Sequence, residues 1–285
     1  MIDFEKINGV HLIAEIGINH NGDLKIATRL IDAARSIGWN GVKFQKRTPS
    51  ICVPEAQKNI PKSTPWGDMT YIEYKEKIEF GKDEYDFIDK YCKQEINPIE
   101  WSASIWDKES LNFIMNYEIP YIKIPSAMVT NHELIKEASI SKIPIIISTG
   151  MSTLKEIDDA VNIILKHSFK PCILHTNSSY PAPLKDLNLS LIPMYKKRYD
   201  CTIGYSGHEY GVEPSVLAVA LGAKVIERHV TIDRDMWGTD QKSSLSITGM
   251  DNLFQRIKNV ELVIGEPKKI ITDGEKEVRK KLSYT

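Results

Sequence analysis

LIAEIGINHNGDLKIATRLIDAARSIGWNGVKFQ (residues 12–45) contains one complete strand–helix–strand unit. Residues 12–16 form a short apolar run that is typical of a strand buried on both faces. A helical pattern follows from Asp23, a suitable N-cap, to Ile37, and Gly38 suits a left-handed helix end. Residues 42–45 form a second apolar run. Because a helix returns the chain between the two runs, the stretch predicts two parallel strands joined by a crossover.

The same alternation continues along most of the chain. Further strands are predicted at 100–104, 121–124, 145–148, 173–175, 202–205 and 225–229, with helices at 108–116, 132–139, 153–167, 187–195, 212–221 and 250–265. Strands that are each followed by a helix, eight in all, predict a closed (β/α)8 TIM barrel over residues 1–265. An open doubly wound sheet is the structural alternative. The charged segment 266–285 is predicted to be a C-terminal tail.

Residues 47–70 interrupt this alternation. The segment contains Pro49, Pro54, Pro61, Pro65 and Gly67, which predicts a long loop, and a charged helix is expected after it, from about 70 to 94. Loops of this length inside a compact domain often cover or line a binding site.

Composition limits the classes of partner. The chain has 37 basic and 38 acidic residues and a net charge of −1, so no basic excess indicates nucleic acid or a membrane surface. The amino terminus does not resemble a signal peptide, and no apolar run approaches the roughly 20 residues of a membrane span. The four cysteines lack CxxC spacing, which favours free thiols in a reducing cytoplasm.

Polar residues follow the carboxyl ends of the predicted strands, where TIM barrels hold their active sites. Lys43 and Lys123 lie inside apolar strand runs, and a buried ammonium needs an anion. That anion is either a substrate phosphate or carboxylate, or a barrel acid such as Glu15 or Glu227. His208 and His229 end neighbouring strands, which suits either a divalent metal or ordinary hydrogen bonding.

The ordered motifs resemble the N-acetylneuraminate (sialic acid) synthase family over about residues 10–265. They are AEIGINHNG (14–22), VKFQ (42–45), KIPS (123–126), STGM (148–151), TNSSYP (176–181), IGYSGH (203–208), ALGA (220–223), ERH (227–229) and GTDQ (238–241). Each motif is short and weakly specific alone, but the ordered set is highly specific.

The resemblance implies a condensation of phosphoenolpyruvate with a sugar aldehyde, N-acetylmannosamine or a related aldose, that releases phosphate. It implies His208 and His229 as ligands of a divalent metal, manganese in first place with magnesium or cobalt as alternatives. Glu15, Glu227 and Asp240 are the implied catalytic carboxylates. The implied substrate-binding residues are Lys43, Gln45, Lys123, Ser126, Ser148, Asn177, Tyr180 and Ser206. A homodimer is also implied.

Two departures from the family's pattern bear on the substrate. Met128 stands where family members usually carry an acidic residue facing the sugar, and the chain ends at Thr285, before the small antifreeze-like domain that follows the barrel in sialic acid synthases. Alternative readings therefore remain: a legionaminic, pseudaminic or deaminated nonulosonic acid synthase with the same chemistry, or a non-catalytic protein that binds sugar or phosphate.

Overall fold

A closed barrel of eight parallel strands forms the centre of the protein, which is described by a computed structural model for residues 1–283. The barrel strands are β1 (His11–Gly17), β2 (Gly41–Lys46), β5 (Glu100–Ile105), β6 (Ile122–Ile124), β7 (Ile145–Ser148), β8 (Cys172–Thr176), β9 (Thr202–Gly207) and β10 (Val225–His229). They pair in this order, and β10 closes the barrel by pairing with β1. The predicted TIM barrel is confirmed, and the open sheet is excluded.

Helices follow the strands and cover the outside of the barrel. They are α1 (Leu24–Ile37), α5 (Lys82–Cys92), α6 (Lys108–Ile114), α7 (His132–Ile140), α8 (Leu154–His167), α9 (Leu191–Tyr199), α10 (Glu213–Ala220) and α11 (Ile247–Ile264). The predicted ends of α1 are confirmed: the Asp23 side chain accepts a hydrogen bond from the Lys25 backbone N–H, and Gly38 has a φ of 100°.

The segment 47–70 is not the long loop that its prolines predict. It contains two one-turn helices, α2 (Pro49–Cys52) and α3 (Glu55–Lys58), and a hairpin of β3 (Pro61–Thr64) with β4 (Gly67–Thr70). The single charged helix expected after it is also wrong, because α4 (Tyr71–Ile78) and α5 are separate. The two helices are separated just before Gly81, the N-cap residue of α5, whose backbone N–H donates to the Glu84 carboxylate.

Side chains inside the barrel change character along its axis. Successive residues of a strand point to opposite faces, so every second residue points inward. At the amino end these inward positions are apolar, and Ile13, Tyr121, Ile146, Leu174 and Val225 form a buried cluster there. The next inward positions toward the carboxyl end are polar and also buried: Glu15, Lys43, Lys123, Ser148, Ser206 and Glu227. The apolar layer therefore forms the floor of a polar site.

Packing in this floor is tight. A Cβ built on Gly204 of β9 would lie 2.4 Å from the Val225 carbonyl oxygen and 2.4 Å from a methyl carbon of Leu174. Only glycine fits at this position without moving the neighbouring strand.

The carboxyl-terminal segment contains a further helix, α12 (Asp273–Leu282), which is exposed along its length. It lies within the tail predicted for 266–285, the last two residues of which are outside the described range. Among residues 1–283, no helix has the length and apolar character needed to cross a membrane.

Candidate active site

Most of the candidate residues line one cavity of about 230 Å³ at the carboxyl ends of the barrel strands. They are Glu15, Lys43, Gln45, Lys123, Ser126, Ser148, Tyr180, Ser206, His208, Glu227 and His229. Their sequence positions span more than two hundred residues, and the closure of the barrel brings them together. Ser104, Trp106, Met151, Thr176 and Ser178 complete much of the wall.

Two buried lysines and two buried glutamates form the base of the cavity. The Lys43 Nζ lies 2.5 Å from Oε2 of Glu15 and 3.8 Å from Oε1 of Glu227. The Lys123 Nζ lies 3.2 Å from the same Glu227 oxygen. Both lysines therefore pair with barrel acids, which is one of the two alternatives that the sequence left open for them. An ammonium has three N–H donors, and Lys123 has one acceptor among the described residues, so two donors remain for a ligand.

The charges of these lysines and glutamates shift one another's pKa values. Burial alone would raise the pKa of Glu227, but Lys123 and Lys43 outweigh burial and hold that pKa below its ordinary value. Burial lowers the pKa of Lys123, and Glu227 opposes this shift. At neutral pH Glu227 is therefore a carboxylate.

Several buried polar atoms in the cavity have no hydrogen-bond partner among residues 1–283. They are the Ser148 hydroxyl, Oε2 of Glu227, Oε1 of Gln45 and Nδ1 of His229. A buried polar atom without a partner costs about 1–3 kcal/mol, so such atoms are rare in folded proteins. Their concentration in one cavity is typical of a site whose ligand supplies the missing partners.

The two histidines face each other across the cavity wall, with ring centroids 5.4 Å apart. Nδ1 of His208 is 2.6 Å from the Asn177 carbonyl oxygen, which accepts only, so Nδ1 carries the proton. Nε2 of His208 consequently holds a lone pair and accepts the Tyr180 hydroxyl at 3.0 Å. Burial and the neighbouring His229 lower the pKa of His208 to about 3, so the ring is neutral.

This donor set suits a divalent metal in part. A metal-binding histidine commonly donates its second ring N–H to a carbonyl, as His208 does. His229 has a ring nitrogen, Nδ1, that finds no hydrogen-bond partner among the described residues. Within residues 1–283 no group of three or more His, Cys, Asp or Glu side chains is arranged to hold a metal. Two imidazoles would need water or substrate oxygens to complete the shell.

Two candidate residues, Asn177 and Asp240, do not line the cavity. The Asn177 side chain donates to the Asp186 backbone carbonyl and accepts from the Ser179 N–H. The backbone carbonyl of Asn177 accepts from Nδ1 of His208 and so orients that ring. Asp240 lies beside the cavity, with Oδ2 3.8 Å from Nδ1 of His229. Burial would raise the pKa of Asp240, but His229 and the Thr239 hydroxyl hold it below its ordinary value. Their proposed roles remain predictions.

Two further residues at the rim differ from expectation. Met128 does not line the cavity, since its half-buried side chain packs against the apolar core between barrel and helices. Arg47, which sequence analysis did not single out, follows β2 directly, and its guanidinium lies 4.5 Å from the Trp106 ring centroid. Arg47 keeps the two-residue spacing of Lys43 and Gln45, a signal that was overlooked because the predicted strand ended at Gln45. It lines a neighbouring cavity that shares Trp106 with the active-site cavity.

Comparison with known proteins agrees with this geometry. A model of the NeuB family matches residues 30–269. The chain is 36% identical to an N-acetylneuraminate-9-phosphate synthase of Drosophila melanogaster, over all of this chain and 78% of that protein. It is 32% identical to an N,N'-diacetyllegionaminic acid synthase of Legionella pneumophila, over 96% of this chain and 81% of that protein. The crystal structure of an N-acetylneuraminic acid synthetase from Leptospira borgpetersenii, in complex with citrate, superimposes with a TM-score of 0.85 at 32% identity, over 98% of this chain and 94% of that one.

Proposed function

The chain belongs to the NeuB family, and on this premise we propose that it condenses phosphoenolpyruvate with the open-chain aldehyde of a sugar. The product is a 2-keto-3-deoxy sugar acid of the sialic acid kind, and inorganic phosphate is released. The observation that carries the proposal is the cavity in which two buried lysines and two imidazoles converge with the Ser148 hydroxyl, which has no partner within residues 1–283.

Phosphoenolpyruvate binds at the base of this cavity. Lys123, with two free N–H donors, and Lys43 hold its phosphate and carboxylate, and charge-assisted hydrogen bonds of this type are about twice as strong as neutral ones. The Ser148 hydroxyl gains a partner, which it lacks among the residues that the structure describes. The Ser206 hydroxyl, which donates to Glu227 at 3.2 Å, lies within reach of the same anion. Gln45, Ser126 and Tyr180 contact the sugar from the rim.

The reaction forms one C–C bond and breaks one C–O bond. The C2=C3 electron pair of phosphoenolpyruvate attacks the aldehyde carbon, whose oxygen takes a proton and becomes a hydroxyl. Water adds to the electron-deficient C2 and loses a proton to a carboxylate. The bond between C2 and the bridging oxygen of the phosphate then breaks, and that oxygen leaves with the electron pair. The C2 hydroxyl gives its proton to the departing phosphate, and C2 becomes a ketone. C3 keeps both of its hydrogens throughout.

Glu227 is the carboxylate best suited to accept the proton of the attacking water. Its Oε2 is buried and has no partner in the described part of the chain, and its Oε1 already accepts from Lys123. In the free protein the lysines depress the pKa of Glu227. When their N–H donors turn to the anionic substrate, its negative charge raises that pKa again and makes the carboxylate a better base. Glu15 keeps Lys43 and Gln45 in place, and Asp240 acts beside His229.

A divalent metal, manganese in first place, would be held by His208 and His229 and would supply Lewis-acid polarisation of the aldehyde oxygen. The Tyr180 hydroxyl donates a hydrogen bond to Nε2 of His208. Tyr180 would have to release this hydrogen bond before the Nε2 lone pair could bind a metal. A homodimer and a cytoplasmic location are the further parts of this proposal, and they rest on the family resemblance and on the scattered free cysteines.

The acceptor sugar distinguishes the two enzymatic alternatives. Met128 removes the acid that the family usually aims at the sugar, so a legionaminic, pseudaminic or deaminated product stays the second candidate. Incubation with manganese, phosphoenolpyruvate and a panel of aldoses, followed by product mass spectrometry, identifies the acceptor. Turnover that stops with a chelator supports the proposal. Phosphoenolpyruvate binding without any product would instead favour the non-catalytic binding protein.

A further inference from the structure

A buried ion pair of Glu209 with Arg228 lies behind the two histidines of the cavity. Both side chains are completely buried, and Nη1 of Arg228 lies 3.0 Å from Oε1 of Glu209. Glu209 follows His208 directly in the chain, and Arg228 directly precedes His229. Because successive residues of a strand point to opposite faces, Arg228 points away from the cavity that Glu227 and His229 line.

The guanidinium of Arg228 ties β10 to the loop that follows His208 and to α10. Its Nη2 donates to the Glu209 backbone carbonyl at 2.7 Å. Its Nη1 donates to the Gly211 carbonyl at 2.9 Å and to the Ser215 hydroxyl of α10 at 3.0 Å. One side chain from the strand of His229 thus holds the backbone that leaves His208.

The Glu209 carboxylate fixes the same loop from the other side. The chain folds back so that a Cβ built on Gly207 would lie 2.7 and 2.8 Å from the two carboxylate oxygens. The Tyr205 hydroxyl donates to Oε2 of this carboxylate at 2.7 Å. His208 therefore lies between a glycine that packs against the carboxylate and a carbonyl that Arg228 holds.

Fold stability alone does not account for an ion pair at this place. Removing two charges from water is costly, and apolar residues of similar volume are often as stabilising or more so. A metal site, in contrast, needs its ligands at a fixed separation, because metal–imidazole bonds are about 2 Å long. The ring centroids of His208 and His229 are 5.4 Å apart, and the ion pair joins their neighbours in the chain.

We propose, on the basis of the function proposed above, that Glu209 and Arg228 are positioning residues that hold His208 and His229 at the separation needed to bind one divalent metal ion. Neither Glu209 nor Arg228 lines the cavity, so both act through the two histidines. Loss of the pair should therefore lower metal affinity and leave the lysines that bind phosphoenolpyruvate in place.

Manganese titration of the metal-free, full-length protein, followed by electron paramagnetic resonance, tests this role. Glu209→Gln combined with Arg228→Met removes both charges, and we expect the Kd for Mn²⁺ to rise about 10- to 100-fold, as it does for other residues that orient metal ligands. The Kd for phosphoenolpyruvate, measured by calorimetry without metal, should stay that of the wild type. Asp32→Asn combined with Arg35→Met is the matched control and should keep the wild-type Kd for Mn²⁺, because this ion pair lies near the end of α1, where the chain enters the amino end of the barrel.

A milder variant covers the case in which the double variant does not fold. Tyr205→Phe removes only the hydroxyl that donates to Glu209, and it should weaken Mn²⁺ binding in the same direction. Wild-type Mn²⁺ affinity in Tyr205→Phe and in every folded variant of Glu209 or Arg228 would overturn the inference. Equal losses of Mn²⁺ and phosphoenolpyruvate affinity in the double variant would overturn it as well.

Nitrogen-15 NMR of the imidazole rings in the metal-free protein separates this inference from the proposed function. His208 should show a single tautomer that is protonated on Nδ1, because the Asn177 carbonyl accepts there. We expect a mixture of tautomers in the Glu209→Gln, Arg228→Met protein and the single tautomer in the control. A wild type that binds no Mn²⁺ would refute the metal of the proposed function; the ring signals then decide the inference alone, and unchanged signals of both histidines in the double variant would overturn it.

Discussion

Replacement of Ser148 by alanine should change stability and substrate binding in opposite directions. The hydroxyl is buried at the end of β7 and has no partner within residues 1–283. Because a buried hydroxyl without a partner costs about 1–3 kcal/mol, we expect Ser148→Ala to raise the free energy of unfolding by about 1 kcal/mol. The same change removes a hydrogen bond to the anionic substrate, worth about 1.5–3 kcal/mol, so the Kd for phosphoenolpyruvate should rise roughly 10- to 100-fold.

Urea denaturation of the free protein and calorimetric titration with phosphoenolpyruvate measure the two effects. Ser102→Ala is the matched control, since this buried hydroxyl donates to the Tyr121 carbonyl at 2.5 Å. It should lose about 1 kcal/mol of stability and leave the Kd unchanged. If Ser148→Ala is destabilised as Ser102→Ala is, or if it binds phosphoenolpyruvate as tightly as the wild type, the unpartnered hydroxyl does not serve the ligand and the reasoning is refuted.

Further predictions follow from other contacts. Lys43→Met should lower the free energy of unfolding by about 3–5 kcal/mol because it leaves Glu15 buried and unpaired; the added Glu15→Gln change should recover most of this loss in urea denaturation, but not phosphoenolpyruvate affinity. Burial is the main reason that the pKa of His20 is lowered to about 3, so its carbon-13 NMR signal should remain that of a neutral imidazole down to about pH 4. Because His20 is protonated more readily in the unfolded chain, its contribution to stability is complete above pH 6.5 and is lost as the pH falls toward 3. A chelator should abolish turnover, and manganese should restore it in the wild type but not in His208→Ala, as followed by phosphate release. Gly204→Ala should lower the free energy of unfolding, measured by urea denaturation, by about 2 kcal/mol or more, because the added Cβ would collide with the Val225 carbonyl oxygen.

Short apolar runs identified the barrel strands because strands covered on both faces contain little else. The observed β7 and β10 have the predicted bounds, and β1 and β2 extend the predicted runs by only one or two residues. The hairpin of β3 and β4 escaped prediction for the opposite reason. Its residues are exposed or half-buried and carry no apolar alternation, and its prolines indicate turns.

The same limits apply to the site. Lys43, Lys123 and Glu227 were predictable because charged residues inside apolar runs need a polar site. Which acid each lysine contacts was not predictable, since it depends on the register between strands distant in sequence. The Asn177 side chain donates to the Asp186 carbonyl because of the conformation of the loop between them, and no local sequence pattern predicts that conformation. Arg47 was missed because the predicted strand ended at Gln45, whereas β2 ends at Lys46 and Arg47 follows it directly.

The most direct test of the account uses phosphoenolpyruvate that carries a heavy oxygen isotope at the atom joining C2 to phosphorus. The enzyme is incubated with this substrate, manganese and the aldose found active in the panel, and the masses of both products are measured by mass spectrometry. We predict a 2-keto-3-deoxy sugar acid without the label and inorganic phosphate that contains it, because water enters at C2 and the C–O bond breaks. Label in the sugar acid, or no C–C bonded product from any aldose, would contradict it.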